Sequence, residues 1–207
     1  MYDLAIVGAG PAGLTASIYS SCFKLKNIVL GSKLGGQILV APGILNAPGF
    51  EIISGKELAS LLINQAKKRG AEVFEESVTG ITASSDFYTL ISQSQEKYQA
   101  KAIILATGIE RRRLNIDTGE VSGKDLVVPL GVAVDVNGFI QVNDKMATNV
   151  AGIFAAGDLV NSRFGIEQIA ISVGEGARAA MSAYEYITGQ KPPTVWGSSQ
   201  IRRPRII

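Results

Sequence analysis

The sequence predicts an α/β fold, a single domain wound around a central parallel sheet. Three observations carry this. Leu4-Ala5-Ile6-Val7 is an unbroken apolar run that ends in the glycine-spaced loop Gly8-Ala9-Gly10-Pro11-Ala12-Gly13. Two further runs, Lys101 to Ala106 and Gly152 to Ala156, stop at Thr107-Gly108 and at Gly157-Asp158. Between them lie segments with helical spacing of apolar residues. Unbroken apolar runs suit strands covered on both faces, which is the condition of a parallel sheet with helices around it.

Each element follows in order. Leu4 to Val7 reads as a buried strand, and Leu14, Ala16, Ile18, Tyr19 and Cys22 continue it as a helix. Asn27 to Leu30 is the next strand, so the chain starts as a βαβ unit with parallel strands. Ser54-Gly55-Lys56-Glu57 has the capping-box pattern, and Leu58, Leu61, Leu62 and Ala66 keep helical spacing up to Lys67-Lys68-Arg69-Gly70. Short β-prone stretches at Val73, Val78 to Ile81, Tyr88 to Ser92 and Lys97 to Gln99 predict a small antiparallel appendage. Lys101 to Ala106 is a buried strand again. Asp117-Thr118-Gly119 and Ser122-Gly123 read as turns, and Leu126 to Val136 as β-prone pieces broken by Pro129 and Gly131, together a linker. Asn137-Gly138 before Phe139 to Val142 predicts a hairpin. Gly152 to Ala156 is the last strand. The last helix presents Ile169, Val173, Ala177, Ala180 and Tyr184 on one face and closes with Gly189 and Pro192.

Composition narrows the function classes. The 207 residues, 46% hydrophobic and 18% charged, suffice for one core of ordinary domain size. The net charge is +2, with local clusters only at Arg111-Arg112-Arg113 and at Arg202, Arg203 and Arg205, too little for a nucleic-acid footprint. There is no apolar run of the roughly 20 residues that a membrane span needs. One Cys excludes an internal disulfide, and no leader features precede the first strand, so a cytoplasmic protein is expected. The sequence has no His, which removes the commonest general base and zinc ligand.

A glycine loop between strand and helix lets the backbone turn tightly, approach a pyrophosphate and aim helix N-terminal amides at it, so a dinucleotide site is predicted at Gly8, Gly10 and Gly13. The pattern also calls for an acidic residue about 20 positions on to hold the ribose. Gly31 and Ser32 occupy that place. Backbone amides or Ser32 would then hold the ribose, or the ligand would differ.

Gly8 to Gly13, Gly35-Gly36-Gln37, Asn46-Ala47-Pro48-Gly49-Phe50, Ala106-Thr107-Gly108 and Gly152-Ile153-Phe154-Ala155-Ala156-Gly157-Asp158, in this order and spacing, resemble the FAD domain of the low-molecular-weight thioredoxin reductases. The likeness covers about residues 1 to 115 and 135 to 190. It implies a Rossmann-like FAD-binding domain over 1 to 190, with a tail from 191 to 207. It also implies roles: Gly8, Gly10, Pro11, Ala12 and Gly13 at the pyrophosphate, Gly31 and Ser32 at the ribose position, and Gly36, Gln37 and Asn46 near the flavin and its ribityl chain. Val78 would lie near the adenine, Ala106, Thr107 and Gly108 close to the cofactor, and Gly157 and Asp158 at the ribityl hydroxyls. Gln168 and Ile169 would meet the flavin pyrimidine edge, where a helix N-terminus favours the negative charge of reduced flavin. The family has Arg before this Gln, whereas this chain has Glu167.

In the family a second domain, inserted after the Ala-Thr-Gly strand, carries NADPH and a Cys pair. The linker stands in its place here, and with Cys22 alone, read as packed core, dithiol exchange within these residues is not available. The expected protein is therefore an FAD oxidoreductase that takes electrons from an external donor, free NAD(P)H or a redox protein. The alternatives are a non-catalytic FAD module or a subunit of a larger redox complex, and, third, a fold that holds NAD or no flavin. The resemblance further implies a homodimer. The tail, with Trp196, Ile201, Ile206 and Ile207, would fray or would dock over the dimer partner or the flavin.

Overall fold

The computed structural model describes residues 1–109, 123–160 and 167–194. The Arg111 to Arg113 cluster, the Asp117 to Gly119 turn and the tail with Trp196 lie outside the described residues.

The chain opens with β1 (Tyr2–Val7), α1 (Pro11–Cys22) and β2 (Asn27–Gly31). After a 3-10 turn at Gly36–Val40 come α2 (Gly55–Lys68), β3 (Glu72–Glu75), β4 (Val78–Ala83), β5 (Tyr88–Ser92) and β6 (Lys97–Leu105). Then follow α3 (Gly123–Val127), a 3-10 turn at Val128–Leu130, β7 (Ile153–Ala155) and α4 (Ile169–Thr188). The strands form one sheet in the order β3-β2-β1-β6-β5-β4, with β7 on β6.

β1 is parallel to both neighbours, Ile6 facing Val29 on one side and Ile104 on the other. Its residues alternate between two apolar layers, as the period of a strand requires. Leu4 and Ile6 join Leu14, Ala16, Phe154 and Ala180 beneath α1 and α4, whereas Ala5 and Val7 join Ile28, Leu30, Leu90, Ile103 and Ile140 on the opposite face. A buried polar bridge ties α1 to β2: Ser17 Oγ donates to Asn27 Oδ1 at 2.7 Å, and Asn27 Nδ2 donates to Ser21 Oγ and to the Leu25 carbonyl. A buried amide is tolerated here because its polar atoms are satisfied. Cys22, at the end of α1, is half-buried.

The α/β class with a mainly parallel sheet agrees with expectation, and three details differ. The Val73 segment belongs to the core sheet as β3, parallel to β2, and not to the antiparallel appendage. The Lys97 and Lys101 segments are one strand, β6, because one edge of β6 serves two partners. Its first residues pair antiparallel with β5, while Ile103 to Leu105 pair parallel with β7. The region after Gly123 begins with α3 and a 3-10 turn instead of β-prone pieces, and Leu126, Val127 and Val132 are buried against the second apolar layer. The hairpin at Asn137-Gly138 forms but is short: Gly138 N–H donates to the Asp135 carbonyl, and the bonds from Asp135 N–H to the Phe139 carbonyl and from Gln141 N–H to the Ala133 carbonyl flank the single bridge Val134 to Ile140.

The face of α4 is also displaced. Its deepest residues are Ser172, Gly176, Ala179, Ala180 and Ala183, with Ile169, Val173 and Tyr184 half-buried on the flanks. The reason is close approach to α1: a Cβ on Gly176 would lie 2.1 Å from the Ala12 carbonyl oxygen. Small residues let the two backbones meet, and the larger apolar ones are pushed to the sides.

Candidate functional site

The carboxyl ends of β1, β2 and β6 open onto one cleft, where a doubly wound sheet places its ligands. The cleft and its mouth together span about 1000 Å³, part of it open to solvent.

The loop between β1 and α1 forms its floor, and its glycines have separate duties. A Cβ on Gly8, at φ +113°, would lie 2.2 Å from the Ala106 carbonyl oxygen, so the crossing of β1 past β6 requires glycine. A Cβ on Gly13 would lie 1.9 Å from the Gly8 carbonyl oxygen, so Gly13 lets helix and strand pack. Gly10 has nothing within 4 Å of its Cβ position and faces open space. It is the N-cap of α1 without a side-chain cap, and Pro11 follows at the first helical position. The first turn of α1 carries no acidic side chain. Its first amides and the helix dipole therefore point at the cleft with no side-chain cap among the described residues, which suits a pyrophosphate.

Gly31 also lines the cleft, and the structure explains why no acidic residue stands there. A Cβ at this position would fall 2.7 Å from the Ala9 amide nitrogen and 2.8 Å from the Ala9 Cβ. Hydroxyls of Ser32 and Ser77 line this end instead, with Val78 beside them. On the other side Gly36 sits against Gly10, and Gln37 Nε2 donates to the Ile109 carbonyl, closing the 3-10 turn onto the Thr107-Gly108 segment.

The far wall comes from the last third of the chain. β7 ends at Ala155, the ladder closes with Ala156 N–H on the Leu105 carbonyl at 2.9 Å, and the chain turns at Gly157, φ +82°. This turn brings Asp158 to the cleft, where Ser172 Oγ donates to Asp158 Oδ1 at 3.3 Å. Burial, reinforced by the charge of Glu167, raises the Asp158 carboxyl above the ordinary range, against the lowering effect of Ser172. Glu175 is likewise raised, first by burial and then by the Asp158 charge, while the Gly157 N–H and Arg178 oppose the shift.

Of the predicted residues, Gly8, Gly10, Pro11, Ala12, Gly31 and Ser32 line the cleft, as do Gly36, Gln37, Val78, Ala106, Thr107, Gly108, Gly157 and Asp158. Gly13 lies beneath Gly8. Asn46, Gln168 and Ile169 stand outside the lining, but Asn46 Nδ2 donates to Gln168 Oε1 at 2.8 Å, and Ile169 packs on the cluster of Ile38, Ile44 and Ile53. The start of α4 is thus fastened to the excursion between β2 and α2.

Sequence reasoning missed Ser77, Leu126, Ser172 and Glu175. A signal existed for two of them: Gln168, Ser172 and Glu175 follow the i, i+4, i+7 spacing of one helix face. Among the described residues no group of His, Cys, Asp and Glu could hold a metal ion, and no helix is long and apolar enough to cross a membrane.

The arrangement fits a flavin dinucleotide. The uncapped start of α1 and the open face of Gly10 would suit a pyrophosphate, and the half-buried Asp158 carboxylate would suit hydroxyls.

Comparisons with known proteins agree. A family model described as pyridine nucleotide-disulphide oxidoreductase matches residues 2–128 and 117–176. A Clostridium pasteurianum protein described as the 34.2 kDa protein in the rubredoxin operon is 42% identical over 119 residues, 57% of this chain and 39% of that protein. The thioredoxin reductase of Bacillus subtilis is 34% identical over 117 residues, 56% of this chain and 37% of that protein. The chain thus spans under half the length of these curated relatives. Among solved structures, thioredoxin reductase of Lactococcus lactis superposes with a TM-score of 0.82 at 23% identity, covering 92% of this chain and 100% of that one. A ferredoxin-flavin thioredoxin reductase from Clostridium acetobutylicum superposes with a TM-score of 0.76 at 24% identity, covering 90% and 97%. These likenesses show a shared fold.

Proposed function

Because the chain belongs to the pyridine nucleotide-disulphide oxidoreductase family, we propose that it is a thioredoxin reductase-related flavoprotein that holds FAD in the cleft and passes electrons from an external donor to an acceptor. The observation that carries this reading is the meeting, in one cleft, of the uncapped start of α1 and Asp158, almost 150 positions apart in the chain. Bound FAD supplies hydride or single-electron transfer. The residues supply position: the Gly8 to Gly13 loop and α1 amides on the pyrophosphate, Ser32 and Ser77 at the ribose, Val78 at the adenine, and Asp158 accepting from ribityl hydroxyls. Gln37, Thr107 and Gly108 stand along the cofactor, and Asn46, Gln168 and Ile169 at its flavin end.

Residues 1 to 190 act as one FAD domain in this reading, made of about 1 to 115 and 135 to 190. With one Cys in the 207 residues, a dithiol step would need a thiol pair from outside these residues. The donor is NAD(P)H or a redox protein. Val40, Leu45 and Ile52, exposed by 85%, 76% and 63% on the excursion between β2 and α2, are the apolar residues that a homodimer would cover. Anaerobic mixing of the purified protein with NADH, NADPH and reduced ferredoxin tests the electron-transfer reading. Bleaching of the flavin by one of them supports it. A flavin that none reduces favours a non-catalytic module or a subunit of a larger complex, for which the single Cys is the motivating observation.

A further inference from the structure

The loop that carries Asp158 is held by a carboxylate outside the residues to which the binding roles above belong. The last ladder bond of β7 is Ala156 N–H to the Leu105 carbonyl at 2.9 Å, and the next amide, that of Gly157, has run past the sheet. It donates instead to Glu175 Oε2 at 2.8 Å, on α4, 18 positions further along the chain. One turn earlier on the same helix, Ser172 donates to the Asp158 carboxylate. α4 itself cannot shift toward α1, because Gly176 already touches the Ala12 backbone.

We propose that Glu175 is a positioning residue: its carboxylate holds the Gly157 amide, fixes the turn at Gly157, and so sets where Asp158 meets the ligand. This rests on the FAD reading for its consequence, though not for the contact itself. Asp158 and Arg178 are the charged groups that act on Glu175. Placing a second half-buried carboxylate next to Asp158 is electrostatically unfavourable. The charge-assisted bond to an otherwise unpaired backbone amide offsets that cost, since an unmet N–H at such depth is itself expensive. The coupling also runs both ways along α4. Gln168, Ser172 and Glu175 lie on one face, so one helix fastens the Asn46 excursion, the Asp158 side chain and the Gly157 backbone.

The test uses the protein as purified, with Glu175→Met, which keeps the bulk of the side chain and removes the acceptor, Glu175→Gln, which keeps a neutral acceptor, and Glu185→Ala as a control on the same helix. Exchange of the Gly157 amide and the FAD dissociation constant are both measured. E175M should speed Gly157 exchange and weaken FAD at least about tenfold, the scale of one hydrogen bond to a charged group. E175Q should stay within about threefold of wild type in both, because an acceptor remains, and E185A should change neither. If E175M fails to fold, Glu175→Ala, which also removes the acceptor, takes its place, and faster exchange confined to Gly157 and its neighbours supports the proposal. Unchanged exchange and affinity in E175M, or equal losses in E185A, would overturn it. A wild-type protein that holds no FAD would sink the FAD reading, while the exchange measurement would still decide whether Glu175 holds the turn.

Discussion

Asn46 Nδ2 donates to Gln168 Oε1 at 2.8 Å, joining residues 122 positions apart and fastening the start of α4 to the excursion between β2 and α2. Neither side chain lines the cleft. Their bond nevertheless fixes the relative placement of two segments that reach the proposed flavin end.

The pair should therefore be coupled. Asn46→Ala and Gln168→Ala are each expected to cost about 0.5–1 kcal/mol, and the double variant less than the sum, because an exposed neutral hydrogen bond is modest in net worth. Urea unfolding of the four proteins measures this. Strict additivity would mean that the bond does not form in solution.

Gly31 makes a sharper test of the ribose end. Restoring the acid that dinucleotide folds carry there, Gly31→Asp, drives a Cβ against Ala9. The variant should lose roughly 1–3 kcal/mol of stability, as overpacking of a tight contact does, and should bind FAD more weakly. A gain in affinity would show that the loop yields and that the missing acid has another cause.

Two glycines on α4 should respond in opposite directions. Gly176→Ala meets the Ala12 carbonyl and should destabilise by about 1–3 kcal/mol. Gly174, with nothing within 4 Å of its Cβ position, should gain about 0.5–1 kcal/mol as alanine, through helix propensity and lower unfolded-state entropy. Thermal melting of the two variants checks the sign.

The raised carboxyls give a pH signature. Asp158 and Glu175 bind their protons more tightly folded than unfolded. Their ionisation thus costs stability in full at pH values above the raised folded pKa values, and the cost fades as pH falls through them. Asp158→Asn should make the FAD-free protein more stable than wild type near neutral pH, with the difference closing on acidification. Asp3, held low mainly by its hydrogen bond from Lys101 against the effect of burial, works in the opposite sense but is common to both proteins. A difference that is constant with pH would refute the assignment. The same variant should bind FAD more weakly, the trade expected where a group is kept for function at the expense of stability.

The parts legible in the sequence are those where local chemistry and tertiary demand agree. Leu4 to Val7, the glycine loop and α1 were readable because an apolar run, a backbone-limited turn and Pro11 all sit within a short window. The capping residue Ser54 was readable for the same reason, and its Oγ accepts the Glu57 amide at 3.2 Å. What escaped depended on partners far away. Val73 carries the same β-prone signal whether it joins an appendage or the core sheet, and only pairing with Val29 decides. Apolar size points to Ala180 but not to the rest of the buried face of α4, because close contact with α1 selects glycine at Gly176. Leu126 sits in α3, a five-residue helix whose local pattern is too short to register, yet it is buried and lines the cleft. Glu175 shares a helix face with Gln168 and Ser172, but its partner is a backbone amide, so the spacing alone does not say what it holds.

The central claim is that the β1–α1 loop and the Asp158 turn together hold FAD. The most direct measurement is to purify the protein, release its ligand by denaturation, and identify and count it by chromatography and mass. One FAD per chain in wild type, with a clear loss of retained FAD in Asp158→Asn, is the predicted result. NAD, FMN or no nucleotide in wild type, or full FAD retention by the variant, would contradict it.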